Sequence, residues 1–191
     1  GDTRSNDGRA DPRGGFWIGT MGKRAQPRAG AIYRYFGGRT EKLFDQITIP
    51  NAICFSPDGG RAYFADTPRR RIWTVGLDQD GWPDGPSEVF VDLREAGENP
   101  DGAVTDAEGA LWVAKWGAGR VTRYLPDGRA ESDLNFAAIQ TTCQSYFGAN
   151  EDQLLVTSAW EGLNPRSPMD GQTFVADPKV PGRPEPRVMV P

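Results

Sequence analysis

The sequence predicts an all-β protein, a β-propeller of four-stranded blades, and three observations carry that expectation. A short pattern recurs: Asp11-Pro12-Arg13-Gly14-Gly15-Phe16-Trp17-Ile18-Gly19 is echoed by Ser56-Pro57-Asp58-Gly59-Gly60-Arg61-Ala62-Tyr63-Phe64-Ala65 and by Asp106-Ala107-Glu108-Gly109-Ala110-Leu111-Trp112-Val113-Ala114. A fainter copy is Gly148-Ala149-Asn150-Glu151-Asp152-Gln153-Leu154-Leu155-Val156. With Trp17, Tyr63, Trp112 and Leu155 taken as equivalent, the spacing is about 43 to 49 residues, the length of one propeller blade. The 24 Gly and 16 Pro, about one-fifth of the 191 residues, fall between short aromatic and β-branched runs, and few stretches carry a helical period.

Each unit then reads as strand A, a Pro/Asp/Gly turn, strand B, a variable loop, strand C, a turn and strand D. Strand C is visible as Ala31-Ile32-Tyr33-Arg34-Tyr35, Arg71-Ile72-Trp73-Thr74-Val75, Arg120-Val121-Thr122-Arg123-Tyr124 and Thr173-Phe174-Val175. Approximate blades are 1–45, 46–93, 94–137 and 138–191 of one domain. A β-sandwich with coincidental aromatic spacing is the alternative on pattern alone.

Composition removes whole classes of chemistry. With 0 His there is no Ser-His-Asp triad and no His-rich zinc site. Cys54 and Cys143 form no CxxC, so neither a zinc ribbon nor a disulfide scaffold is indicated. A net charge of −4 argues against nucleic acid as a partner, and no apolar run approaches the ~18 residues of a membrane span. The basic residues are nearly all Arg, scattered, and read as solvated surface. No signal-peptide pattern is present, and Gly1 stands without an initiator Met, so an upstream segment is expected to be missing; the expected location is cytoplasmic. No pattern sets an oligomeric state.

The repeat also aligns polar residues. Counting back 11 or 12 residues from the strand B aromatic reaches Asn6, Asn51 and Asp101. Innermost strands line a propeller's channel, so these three would converge near the axis, where hard oxygen ligands suit Ca²⁺, Mg²⁺ or Mn²⁺. Pro-Asp-Gly is also a common turn, and Pro57-Asp58-Gly59, Pro83-Asp84-Gly85 and Pro126-Asp127-Gly128 read as turns. Pro100-Asp101-Gly102 reads either way, because its register matches Pro50-Asn51 and Asn6-Asp7-Gly8, where a strand begins. The loops between strands B and C should rim the same end. They carry Lys23, Arg24 and Arg28; Asp66, Arg69 and Arg70; Lys115 and Trp116; and Trp160, Glu161 and Arg166. Such a rim suits a polyhydroxylated or anionic ligand, or is ordinary loop charge.

Taken together, Arg4-Ser5-Asn6-Asp7-Gly8-Arg9-Ala10-Asp11-Pro12, Phe16-Trp17-Ile18-Gly19-Thr20-Met21, Ile49-Pro50-Asn51-Ala52-Ile53-Cys54-Phe55-Ser56-Pro57-Asp58, Asn99-Pro100-Asp101-Gly102 and Gly119-Arg120-Val121 resemble, in order, the regucalcin (senescence marker protein) and gluconolactonase family. The resemblance covers nearly the whole chain, as the last four blades of a six-bladed propeller. It implies hydrolysis of an aldono- or acidic sugar lactone to the open acid by metal-activated water. It implies one divalent cation, Ca²⁺ foremost, with Zn²⁺, Mn²⁺ or Mg²⁺ as other occupants. Asn51 and Asp101 match two of the family's metal ligands, with Asp101 also the candidate general base; Arg4 and Asn6 match its substrate contacts. Two departures stand out. The family's Glu ligand has no counterpart here, and Lys23 and Arg24 stand where an acidic substrate residue is frequent, which makes Arg24 a candidate contact to an acidic or phosphorylated lactone. Two other readings follow from the residues: a non-catalytic propeller binding calcium or a protein, and an inactive fragment.

Overall fold

A computed structural model describes residues 1–190 as an all-β molecule with fifteen strands and one 3₁₀ turn, Thr67–Arg69. The first sheet runs β1 (Thr3–Ala10), β2 (Phe16–Gly22), β3 (Gly30–Phe36) and β4 (Arg39–Ile47) in sequence order, each strand antiparallel to the next. The second repeats this with β5 (Pro50–Phe55), β6 (Arg61–Asp66), β7 (Arg71–Gly76) and β8 (Glu88–Asp92). The third holds β9 (Asn99–Thr105), β10 (Leu111–Trp116), β11 (Arg120–Tyr124) and β12 (Ala130–Asn135). A fourth, of β13 (Gln140–Phe147), β14 (Gln153–Ala159) and β15 (Thr173–Ala176), joins the third through one bridge, Trp116 to Gln140. Among the described residues no helix is long and apolar enough to cross a membrane.

The pattern of up-and-down meanders follows from the turns. Asp11, Ser56 and Asp106 each accept backbone or side-chain hydrogen bonds within the first hairpin of their sheet, so the recurring Asp/Ser-x-x-Gly segments are reversals by construction. Burial then comes from stacking the sheets. Trp17, Ile32, Ile53, Phe55, Phe64 and Trp73 fill the space between the first and second sheets; Cys54, Tyr63, Ile72, Leu111, Val113 and Tyr124 that between the second and third; Trp112, Val121, Tyr146, Leu154 and Val156 that between the third and fourth. The innermost strands lie side by side, β1 against β5, β5 against β9 and β9 against β13. This is propeller architecture.

Two expectations need correction. The fourth unit has three strands where four were expected. Pro178, Pro181, Pro184 and Pro186 lack the N–H a ladder requires, and the segment instead crosses to the other sheets. The reading of the arginines as solvated surface also fails for two of them. Arg34 is fully buried in an ion pair with Asp11 at 2.7 Å, its guanidinium between Phe36 and Trp82. Arg123 is equally sequestered, bonded to Asp106 at 2.8 Å and paired with Glu108 and Glu131. Trp112 Nε1 donates to the same Asp106 carboxylate. The second sheet does without the pair: Thr74 stands opposite Tyr63 as Arg34 does opposite Trp17, and Ser56 replaces the aspartate.

Candidate functional site

The site is made by one repeated irregularity. In all four sheets the innermost strand carries one extra residue against its partner: between Ser5 and Gly8 in β1, Asn51 and Cys54 in β5, Pro100 and Ala103 in β9, and Thr141 and Gln144 in β13. A bulge releases residues from the ladder and re-aims their side chains. Asn6 and Asp101 are the first residues inside their bulges, and Asn51 is the residue just before its own. The alignment that brought these three together in the sequence therefore differs by one residue at Asn51. Gly102 explains the Pro100-Asp101-Gly102 segment: a Cβ there would come within 2.6 Å of Cys143 Sγ, so the glycine lets β13 approach β9 and is no hairpin residue.

Above the bulges opens a cavity of about 550 Å³. Arg4, Asn6, Asn51 and Asp101 line it, as do Lys23 and Arg24 from the β2–β3 loop, Thr67, Trp116 and Glu161. Asn6 is the hub: its Nδ2 donates to Asn51 Oδ1 and to Pro50 O, both at 2.9 Å, while its Oδ1 accepts from Arg4 Nη1 at 3.0 Å. Asn51 Nδ2 donates in turn to Thr67 Oγ1 at 2.8 Å, and Thr67 donates to Pro100 O at 2.7 Å. Three inner strands are thus bound together by amide and hydroxyl groups whose orientation is fixed by their partners. The β2–β3 loop is anchored as well. Lys23 N donates to Asp2 O, Arg24 N to Gln26 Oε1 and Arg28 N to Thr48 Oγ1.

Asp101 is electrostatically unlike its neighbours. Burial and the nearby negative charge of Asp7 push its carboxyl up to about 7, against a lowering by the Gly102 N–H. Asp7 lies below it with both oxygens committed, Oδ1 to Gly8 N and Oδ2 to Ile53 N, and burial raises its own pKa. The two thiols near the axis are free, Cys54 buried and Cys143 exposed. Burial raises the Cys54 thiol, so it is no nucleophile at neutral pH.

A divalent cation fits this donor set. Asn51 Oδ1 and the Asp101 carboxylate are hard oxygens, and Asp101 is a desolvated acid facing another acid, an environment that a positive ion reverses. Among the described residues no group of three His, Cys, Asp or Glu side chains gathers to bind a metal.

All five residues singled out in the sequence, Arg4, Asn6, Arg24, Asn51 and Asp101, line the one cavity. Other rim expectations do not hold. Asp66 is fully buried, accepting from the Thr48 and Ile49 N–H groups, and Lys115 is fully buried with its Nζ donating to Tyr124 at 2.7 Å. Desolvation pushes Lys115 down to about 7. Arg69 lies over Trp73 and Arg166 over Trp160. Thr67 was missed, because a Thr after a strand has no motif; Asp7 was visible beside Asn6 but had no register partner to mark it.

The chain matches the family described as the SMP-30/gluconolactonase/LRE-like region over residues 1–160. It is 46% identical over 188 residues to a protein described as a sugar lactone lactonase of Rhizobium meliloti, covering 96% of this chain and 64% of that one. It is 32% identical to the 6-deoxy-6-sulfogluconolactonase of Pseudomonas putida, covering 96% and 65%. The solved structure of a calcium-binding protein, regucalcin, of Agrobacterium tumefaciens superposes with a TM-score of 0.94 at 45% identity, covering 99% of this chain and 66% of that one. The chain thus spans just under two-thirds of the length of these relatives. Sequence pattern, propeller sheets and relatives agree: the chain belongs to the SMP-30/gluconolactonase/LRE-like family.

Proposed function

We propose that this chain forms the channel site of a metal-dependent sugar lactonase that opens an aldono- or acidic sugar lactone to its hydroxy acid. The observation that carries the reading is the convergence of Arg4, Asn6, Asn51 and Asp101 on one cavity beneath a cationic rim. Asn51 and Asp101 would hold the divalent cation, Ca²⁺ foremost, which when bound supplies Lewis-acid polarisation of a carbonyl and stabilises developing negative charge.

The chain's own residues do the rest. Arg4 donates hydrogen bonds to ring or hydroxyl oxygens, Asn6 accepts from a hydroxyl through Oδ1, and together they fix the lactone in the cavity. Asp101, in its ionised form, takes the proton from the attacking water as the new C–O bond forms. The ester C–O bond then breaks, the proton is delivered to the departing ring oxygen, and the resulting hydroxy acid ionises by releasing its carboxyl proton to solvent. No histidine is needed.

The rim narrows the substrate. Arg4, Lys23 and Arg24 line the cavity, and none of the three enters an ion pair among the described residues, so their charges are free to meet a ligand. A lactone bearing an anionic group, such as a carboxylate, phosphate or sulfonate, fits this rim better than a neutral one. The name of the Pseudomonas putida relative points to the same class.

Proton release from gluconolactone and from an anionic sugar lactone, followed with and without EDTA, tests the proposal. EDTA-sensitive hydrolysis with preference for the anionic lactone is the expected result. Tight Ca²⁺ binding with no turnover of any lactone would replace it with a binding role.

A further inference from the structure

A single guanidinium lies beneath the site and touches every inner strand that builds it. Arg9 sits at the lower end of β1, with a side chain only 14% exposed. Its Nε donates to Ile53 O at 3.0 Å and its Nη2 to Ala103 O at 2.7 Å. Ile53 follows Asn51 by two residues on β5, and Ala103 follows Asp101 by two on β9. Its third contact, through Nη1, is to Glu185 Oε1 at 2.6 Å.

Glu185 belongs to the irregular segment after β15, which spans the ends of the inner strands opposite the cavity. Pro181 O accepts from Ala107 N, Gly182 N donates to Glu151 O, and Met189 N donates to Gly14 O. Arg183 Nη2 donates to Phe55 O at 2.8 Å and to Thr105 Oγ1 at 3.2 Å. One segment therefore touches all four sheets, and Glu185 is the point at which it reaches Arg9.

We infer that Arg9 is a positioning residue that holds Asn51 and Asp101 in mutual register from below, and that Glu185 seats it. The inference rests on the lactonase reading of the cavity. β1, β5 and β9 belong to different sheets and share no ladder, so their mutual spacing must be fixed by side-chain contacts. Asn6 and Thr67 bind the strands within the cavity, and Arg9 binds them two residues deeper. A planar fork donating to two carbonyls at once sets a distance that a single-point donor does not.

The test uses Arg9→Met, Arg9→Lys and Glu185→Gln in the whole protein, with lactone kinetics and a direct titration of Mn²⁺ affinity. The expected result for Arg9→Met is a loss of about 10- to 100-fold in both kcat and Mn²⁺ affinity, the usual cost of removing a support of the ligand residues. KM, set by the rim residues, should move less than about threefold, since uniform binding is untouched. Arg9→Lys should recover only part of the loss, and Glu185→Gln should give a smaller loss of the same kind. Wild-type kcat and Mn²⁺ affinity in Arg9→Met, with only the melting temperature lowered, would overturn the inference. If Arg9→Met does not fold, Arg9→Lys decides: wild-type kcat and affinity in that variant overturn the inference equally. Failure of the unmutated protein to hydrolyse any lactone or bind Mn²⁺ would instead strike the underlying lactonase reading.

Discussion

The two ends of β9 hold two aspartates with opposite fates. Asp106, just past the strand, is fully buried and fully satisfied: Oδ1 accepts from Glu108 N and Ala110 N, and Oδ2 from Trp112 Nε1 and Arg123 Nε. Asp101, at the other end, is half-buried, meets another carboxylate and no cation, and is pushed up to about 7. A partnered carboxylate is a structural brace, and a half-buried one set beside another acid is a candidate functional group.

The largest test of that contrast is Asp106→Ala. It leaves Arg123 Nε, Trp112 Nε1 and the Glu108 and Ala110 amides without their acceptor, while Arg123 keeps Glu108 and Glu131, and a melt should show a loss of about 3–5 kcal/mol. Asp101→Asn should do the reverse. Stability should hold or rise while lactone turnover falls about 10²–10⁴-fold, the usual worth of a general base. Equal destabilisation by both variants would erase the distinction between the two ends.

Charge reversal at the rim should act on substrate choice alone. Each exposed ion pair contributes up to about 1 kcal/mol, so Lys23→Glu with Arg24→Glu should lower the kcat/KM ratio of an anionic to a neutral lactone by about tenfold. An unchanged ratio would reduce those side chains to loop charge.

The contrast also predicts a pH dependence. The Asp101 carboxyl titrates near 7 in the folded chain, against 3.8 as its ordinary value. Between these values the folded chain binds more protons than the unfolded one, so Asp101 makes stability fall as pH rises. The stability of the metal-free wild type relative to Asp101→Asn should thus decline from pH 4 to pH 7 and level off above. Adding Ca²⁺ should cancel the decline. A flat difference across that window would mean that Asp101 is well solvated or already paired.

Much of this was legible in the sequence, and the rest was hidden for physical reasons. The aromatic repeat at Trp17, Tyr63 and Trp112 gives the propeller, because each unit must bury the same ring against the same neighbour. Asn6, Asn51 and Asp101 were visible because a repeat turns one position into several observations. The bulges were not visible, since an extra residue leaves no compositional trace; only the shift of Asn51 from 11 to 12 residues before its aromatic hints at it. Arg34 and Arg123 were misread because their partners, Asp11 and Asp106, sit in turns that look like surface. Lys115 was placed on the rim with Trp116, yet adjacent strand residues point to opposite faces, and only Trp116 lines the cavity.

The four bulges have an evolutionary side. Asn6, Asp101 and Thr142, the first residues of the bulges in β1, β9 and β13, stand outside the register and are only half-buried, so each can be exchanged without renegotiating the fold. In the fourth sheet Thr142 holds the position that Asn6 and Asp101 hold in the first and third, with its hydroxyl bonded to Thr157. The scaffold thus works like a turret with interchangeable fittings. New specificities can arise by swapping single side chains at these sockets, while the blades that carry them stay as they are.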